Sequence, residues 1–361
     1  MLLSPLAAYG GLLAPWVGPN VRLGEDPPAL PLGTGRNQAE PHVIRSAADP
    51  DLLLATFQEG RFFDGGARAN GYAVSEDGGF TWRRDLNPGL TQVSNGPYFR
   101  ATDPVAGISL DGILYLNSLV SVDDVFGLAE VVIQYSLDRG RTWSQPIPIH
   151  TGTSGGSQNR LSPDKNWMAV NDFPGTPTTG RVVVTWTDFR TIQDEATDIE
   201  DALIRSAFSD DNGTTWSQPV FVTPPDSPLV SQSLFQGSQP VFLPGGSLAL
   251  VYHNFQASRL EVAYSPDGGM QYPFEGEPVH DGYILYDAPN MRDGTFLPSV
   301  SVARETGDLY IAYTSKEFPA DQVGHITFVR SRRPDSGASP ASPPDWRFTN
   351  PVKVSGLTRV G

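Results

Sequence analysis

The sequence predicts an all-β protein arranged as a β-propeller, a ring of small four-stranded sheets. Three observations carry that expectation: an octapeptide that recurs along the chain, a pair of short apolar strands ahead of each copy, and abundant turn residues with no convincing helix. The 37 glycines and 33 prolines follow no three-residue period, which excludes a collagen-like chain and suits many tight turns. A hydrophobic share of 39% is enough for a real core.

The octapeptide comes first. Ser75-Glu76-Asp77-Gly78-Gly79-Phe80-Thr81-Trp82 returns as Ser136-Leu137-Asp138-Arg139-Gly140-Arg141-Thr142-Trp143 and as Ser209-Asp210-Asp211-Asn212-Gly213-Thr214-Thr215-Trp216. A fourth copy, Ser265-Pro266-Asp267-Gly268-Gly269-Met270-Gln271-Tyr272, is worn, and a fifth begins at Ser331 with Asp335, Gly337 and a delayed Trp346. The Asp accepts backbone N–H groups of its own turn, Gly supplies the positive φ, Thr opens the next strand, and Trp fills the space between strands. Each of the first four copies follows a short strand: 71–74, 131–135, 202–208 and 260–264.

A pair of strands precedes each hairpin: 41–44 with 52–57, 104–108 with 112–117, 167–170 with 181–187, 240–243 with 247–253, and 298–303 with 308–314. Four strands per unit of this length describe a propeller blade, whereas separate β-sandwiches would need about 100 residues each. The blades fall at about 37–95, 96–155, 156–228, 229–285 and 286–358, within a single domain spanning 18–361. Residues 18–24 read as the outer strand of a closing blade, so the expected ring is six-bladed with a shared or incomplete last blade; a five-bladed closure is the alternative. An incomplete ring would leave an unpaired sheet edge open to a protein partner.

The octapeptides resemble the Asp boxes, or BNR repeats, of the sialidase superfamily. The segment from Glu40 through Trp82 is similar to a sialidase first blade, with strand Leu52–Phe57 and a loop carrying Arg61 and Asp64, and the resemblance runs over about 37–355. The structural box residues are then Ser75, Asp77, Gly79, Trp82, Ser136, Asp138, Gly140, Trp143, Ser209, Asp211, Gly213, Trp216, Ser265, Asp267 and Gly269. The resemblance implies three arginines for a substrate carboxylate, a Tyr–Glu nucleophile pair and an Asp acid/base, and Asp64 matches the last. Elsewhere the chain departs from that pattern. Ala39-Glu40-Pro41 stands where an Arg-Ile-Pro strand is expected, Gln239 stands near the Glu position, His253-Asn254-Phe255 faces a further arginine, and the Tyr would belong to a sixth blade beyond Gly361.

Other charged residues are expected in strand-exit loops that converge on the channel: Arg100 and Asp103, Asp188 and Arg190, His253, Arg292 and Asp293. Asp64 and Asp188 are the candidate catalytic pair, provided they stand about 5–9.5 Å apart. Arg61, Arg100, Asp103, Arg190, His253, Arg292 and Asp293 are candidate substrate-binding residues. Ordinary turn bonds and ion pairs between blades are the competing roles, and a packed strand-end histidine is the competing role for His253. The expected function is glycoside hydrolysis on a polar or acidic glycan or glycoconjugate; the alternative is a non-catalytic propeller that binds glycan or protein.

Composition narrows the partners. A net charge of -15 argues against nucleic acid, whose phosphates need a basic footprint. Cysteine is absent, so disulfides and thiolate metal sites are excluded. No cofactor is expected to be required. The acid-rich stretch 194–201 reads as a solvated loop able to hold Ca²⁺ weakly, without the ligand alternation of an EF-hand. No run of apolar residues is long enough for a transmembrane helix. Residues 1–17 form an apolar tail or leader remnant, and the expected location is secreted, periplasmic or cell-surface. Lysine is rare, at positions 165, 316 and 353 alone.

Overall fold

The computed structural model describes residues 19–24, 37–123, 128–153, 159–193, 198–223, 233–274, 276–280, 297–315, 325–332 and 346–354. The chain folds into five successive antiparallel meanders. The first holds β1 (Gln38–Arg45), β2 (Leu53–Arg61), β3 (Ala67–Ser75) and β4 (Arg83–Leu86). The second holds β5 (Arg100–Ile108), β6 (Leu114–Ser121), β7 (Ala129–Ser136) and β8 (Ile147–Thr151). The third holds β9 (Asn159–Val170), β10 (Val182–Gln193), β11 (Asp198–Ser209) and β12 (Val220–Phe221). β13 (Phe235–Phe242), β14 (Leu248–Asn254), β15 (Arg259–Ser265) and β16 (Glu277–Pro278) form the fourth. β17 (Ser299–Val302), β18 (Leu309–Ser315), β19 (His325–Arg332), β20 (Arg347–Phe348) and β21 (Val352–Lys353) form the last.

All-β architecture and the strand-by-strand reading hold, but the closed propeller does not form. The first two meanders fuse into one eight-stranded sheet through Ala67 opposite Ala101, followed by sheets of four, four and five strands. Among the described residues no strand pairing returns from the last meander to the first, so the sheets stay open. The physical reason lies in the segment expected to close the ring. Residues 19–24 pair with no strand; Leu23 instead packs on Phe57, Ala73 and Trp82 of the first meander. A repeat specifies strands and turns locally, whereas closure needs a partner strand from a remote segment.

The recurring turn has the bonding expected of it. Gly79 N–H donates to Ser75 Oγ at 2.8 Å, Ser75 Oγ donates to Asp77 Oδ1 at 2.8 Å, and Thr81 gives its N–H and hydroxyl to the same carboxylate at 2.9 and 2.6 Å. The copies at Ser136 and Ser209 repeat this set, and in the copy at Ser265 the N–H and side-chain amide of Gln271 take the place of the threonine donors. Those bonds hold the Asp77 and Asp138 carboxyls down to about 2. The turns also stitch neighbouring meanders. Tyr72 of the first donates to Gly140 O of the second at 3.3 Å and meets Trp143 edge-on at 5.0 Å. The fifth turn, with Asp335 and Gly337, lies outside the described residues, while Trp346 is buried with Leu309, Ile311 and Val329.

The core lies between consecutive meanders rather than inside one. Leu52, Leu54 and Val74 meet Ile108, Leu114 and Leu116; Tyr115 and Ile133 meet Val182 and Trp186; Leu243 and Val251 meet Leu309 and Ile311. Each of these side chains is under 10% exposed, and stacking buries faces that a lone four-stranded meander would leave wet. Among the described residues no helix is long and apolar enough to cross a membrane.

Candidate functional site

The first strands of four meanders share an irregularity. β1, β5 and β13 each slip register, between Ala39 and His42, Thr102 and Val105, and Gln236 and Gln239, and β9 slips opposite Trp186. At those bulges the backbone enters the left-handed region: Glu40 at φ 50°, Asp103 at φ 44°, Lys165 at φ 49° and Gly237 at φ 74°. Glycine takes that conformation freely, but Glu, Asp and Lys do so at a cost of about 1–3 kcal/mol each. Bulges re-aim side chains, and here they direct three charges to one point.

Lys165 Nζ donates to Asp103 Oδ1 at 2.7 Å. Glu40 Oε2 accepts the backbone N–H of Asp103 at 3.2 Å, Gln58 Nε2 at 2.9 Å and the Thr102 hydroxyl at 3.4 Å. Its other oxygen, Oε1, lies 3.9 Å from Arg61 Nη1. Asn166 Nδ2 donates to Asp103 O at 3.1 Å and so fixes the second bulge from below. Glu40, Asp103, Lys165, His42, Asn166 and Trp167 line a pocket of about 150 Å³.

The electrostatics of the three charges differ. Burial, then the Asp103 carboxylate, push the Glu40 carboxyl above the ordinary range, against the pull of Lys165 and Arg61. Burial opposes the Lys165 charge, but Asp103 and Glu40 outweigh it and raise its pKa. His42, in the pocket wall, accepts the Ala106 N–H on Nδ1 at 3.0 Å, and burial lowers its pKa to about 4, so it is neutral at pH 7. A half-buried acid whose pKa is raised, next to a carboxylate paired with an ammonium, is an arrangement able to give and take protons.

Of the residues expected at the site, Arg61 and Asp103 belong to this cluster. Asp64 and Arg100 form a separate pair: the Arg100 fork donates to both Asp64 oxygens at 2.9 and 3.1 Å and to Gly65 O at 2.9 Å. That bond holds the Asp64 carboxyl below its usual range. Asp188 and Arg190 are not in an exit loop, because β10 continues to Gln193. Asp188 is 2% exposed, accepts Trp186 Nε1 at 2.9 Å and stands 3.1 Å from His150 Nε2, facing the second meander. Arg190 pairs with Asp201 across the β10–β11 ladder. Among the described residues Asp64 and Asp188 therefore have different partners.

His253 is fully buried against Phe255, ring centroids 4.2 Å apart, and burial lowers its pKa to about 4. Arg292 and Asp293 lie outside the described residues. Of the acidic stretch 194–201, residues 194–197 lie outside the described residues, Asp198 onward is strand rather than loop, and Asp201 is spent on Arg190. Among the described residues no group of three metal-ligating side chains converges. A larger, more open cleft of about 380 Å³ lies between β8 and the exit of the third octapeptide, where the titratable lining is His150 alone.

Sequence reasoning missed Glu40 and Lys165 as site residues. Two signals pointed to them: an acid–Pro dipeptide at the same place in two successive units, Glu40-Pro41 and Asp103-Pro104, and a lysine in a chain that scarcely uses lysine.

The fold is shared with carbohydrate-active enzymes. A leech intramolecular trans-sialidase superposes with a TM-score of 0.58 at 11% identity, over 95% of this chain and 64% of that one. A Hadza microbial sialidase gives 0.50 at 17% identity, over 85% and 57%. A Penicillium chrysogenum α-L-arabinanase complexed with arabinobiose gives 0.52 at 15% identity, over 82% and 88%. The chain thus spans 57% and 64% of the two sialidase-type structures. No family model matches the sequence, and no curated protein matches it.

Proposed function

We propose that this chain is a carbohydrate-active enzyme that receives a neutral, hydroxyl-rich sugar unit in the Glu40–Asp103–Lys165 pocket and hydrolyses its glycosidic bond. The observation that carries the reading is the Glu40 carboxyl, raised in pKa and half-buried beside an Asp103 carboxylate held by Lys165 at 2.7 Å. Glu40 gives its proton to the glycosidic oxygen as the bond to the anomeric carbon breaks. Water adds to that carbon and its proton passes to Asp103. Lys165 and Arg61 balance the two acids and donate to sugar hydroxyls. Two carboxylates disfavour an acidic unit in this pocket, and Ala39 stands where the sialidase resemblance expects a carboxylate-binding arginine.

The test is hydrolysis of an aryl-glycoside panel and a glycan array, each run on wild type and Glu40→Gln. Turnover of a neutral glycoside that Glu40→Gln reduces by about 10²-fold or more supports the assignment. Turnover untouched by the substitution overturns it. A second reading is a glycan-binding protein without turnover, favoured by the pairing of Asp64 with Arg100 and of Arg190 with Asp201. Array binding that depends on Glu40, with no hydrolysis of any glycoside, would select it.

A further inference from the structure

The bulge that aims Glu40 into the pocket also places the imidazole two residues further on. His42 resumes the β1–β2 ladder after the slip, opposite Thr56. Its ring reaches across to the second meander, where Nδ1 accepts the Ala106 N–H at 3.0 Å. The fourth meander holds its neighbour by the same device. Gln239 resumes the β13–β14 ladder after its slip, and its Oε1 accepts the Val300 N–H of β17 at 3.1 Å. Tying one first strand to the next therefore needs only an acceptor, and an amide oxygen suffices. An imidazole adds a second nitrogen.

A ring nitrogen that accepts a backbone N–H carries no proton. The ring is neutral at pH 7 because burial lowers its pKa to about 4, so its one proton sits on Nε2. Rotation of the ring is opposed on two sides. A half-turn would break the bond to Ala106, and Trp167 meets the imidazole edge-on, with centroids 5.2 Å apart and planes at 75°. Both rings line the Glu40–Asp103–Lys165 pocket. Nδ1 is bound to the second meander, which leaves the Nε2 edge to the pocket wall.

We propose that His42 is a specificity-determining residue of this pocket, whose Nε2–H donates to an uncharged oxygen of the bound sugar unit. The other donors have other work: Lys165 is charged and held by Asp103 at 2.7 Å, and the Glu40 proton goes to the glycosidic oxygen. His42 is a donor without charge and without acceptor capacity. Such a group distinguishes an oxygen that offers a lone pair from an ammonium or a methylene at the same place. The substrate class narrows to neutral sugars with a hydroxyl or ring oxygen at that place, against their amino and deoxy analogues. The donor role rests on the pocket being a glycan site; the position of the proton does not.

The experiment pairs ring ¹⁵N NMR with calorimetry on the full chain, with the methyl glycosides of glucose, galactose and arabinose as probes. His42 is one of five histidines, and its signals are assigned by their loss in His42→Asn. At pH 7 the wild-type spectrum should place the proton on Nε2; a proton on Nδ1, or on both nitrogens, overturns the proposal. At least one glycoside should bind and shift the Nε2–H resonance. His42→Asn sets Oδ1 where Nδ1 stands, so it keeps the Ala106 bond and the Tm, but it has nothing at the place of Nε2. That glycoside should bind it about five- to tenfold more weakly. His42→Gln has an acceptor for Ala106, as Gln239 has for Val300, and a donor for the sugar. It should recover most of the affinity, and wild-type Nε2–H shifts with His42→Gln carry the test if the Asn variant does not fold. A purely structural histidine would give unchanged affinity in folded His42→Asn; that result overturns the role, as does binding that leaves Nε2–H unmoved or no binding of any probe. A glycoside that shifts Nε2–H while no aryl glycoside is hydrolysed leaves the donor in place and removes the catalytic reading. Hydrolysis that depends on Glu40 but not on His42 does the reverse.

Discussion

Lys165 Nζ lies 2.7 Å from Asp103 Oδ1, and both residues sit at the left-handed bulge of the first strand in consecutive meanders. The ion pair therefore ties the second meander to the third at the point where the candidate site opens. Asp103 is 8% exposed at its side chain and Lys165 20%, so the pair is largely out of water. Lys165→Met is expected to cost about 3 kcal/mol, because it leaves Asp103 buried beside Glu40 without a counter-charge. The double variant Lys165→Met with Asp103→Asn should recover most of that loss. Urea unfolding of the four proteins in the cycle measures it, and a double-variant loss equal to the sum of the two single losses would show that the pair does not couple.

Glu40 holds its proton to higher pH than an ordinary carboxyl, since burial and Asp103 raise its pKa. As the proton donor it makes turnover fall on the alkaline side, where Glu40 ionises. The kcat/KM profile of wild type should show that limb, and removing the Lys165 charge, which pulls the Glu40 pKa down, with Lys165→Met should shift it to higher pH.

Two buried histidines set an acid limit on stability. Burial lowers both His42 and His253 to about 4. The unfolded chain, with histidines near about 6.5, binds more protons between those values. Their contribution is fully present above about pH 6.5 and is lost as pH falls toward 4. Thermal melts from pH 7 to 4 should show a falling Tm, with a shallower slope in His253→Leu.

Gly140 and Gly175 separate backbone strain from packing. Both have positive φ, 76° and 72°. A Cβ on Gly140 would lie 2.9 Å from Val74 of the first meander, whereas one on Gly175 meets nothing within 4 Å. Gly175→Ala should cost about 1 kcal/mol, from φ alone. Gly140→Ala should cost about 2–4 kcal/mol, because the clash adds to it. Chemical denaturation of both variants provides the comparison.

Trp186 donates to Asp188, and that carboxylate is 3% exposed at its side chain. Trp186→Phe keeps the ring stacked under His150, now 4.9 Å away, but strips Asp188 of the indole N–H. The expected loss is about 1–3 kcal/mol. An unchanged midpoint would mean that His150 and Arg205, whose Nη1 lies 3.9 Å from Asp188 Oδ2, alone satisfy Asp188.

The residues that could be read from the sequence are those whose role is local. Asp77, Asp138, Asp211 and Asp267 close turns within eight residues of chain, and their bonds are those the spacing predicts. The strands were visible for the same reason, since alternation and turn residues are short-range signals. Asp64, Asp188 and Arg190 show the limit of that reading. Placed by linear position near a common channel, they find partners at Arg100, Trp186 and Asp201 instead. Which charge neutralises which is set by pairings between segments tens of residues apart.

The sequence by itself determined that this chain is all-β, made of repeated four-stranded units whose third and fourth strands are linked by an Asp-closed turn, because hydrogen bonds within a few residues decide those features. The tertiary structure alone decided that the units stack in an open succession, with the first two fused through Ala67 and Ala101. It also decided that Glu40, Asp103 and Lys165, up to 125 residues apart in the chain, meet at three matched bulges. A bulge turns a side chain toward the neighbouring meander, and which residue waits there depends on how the meanders pack.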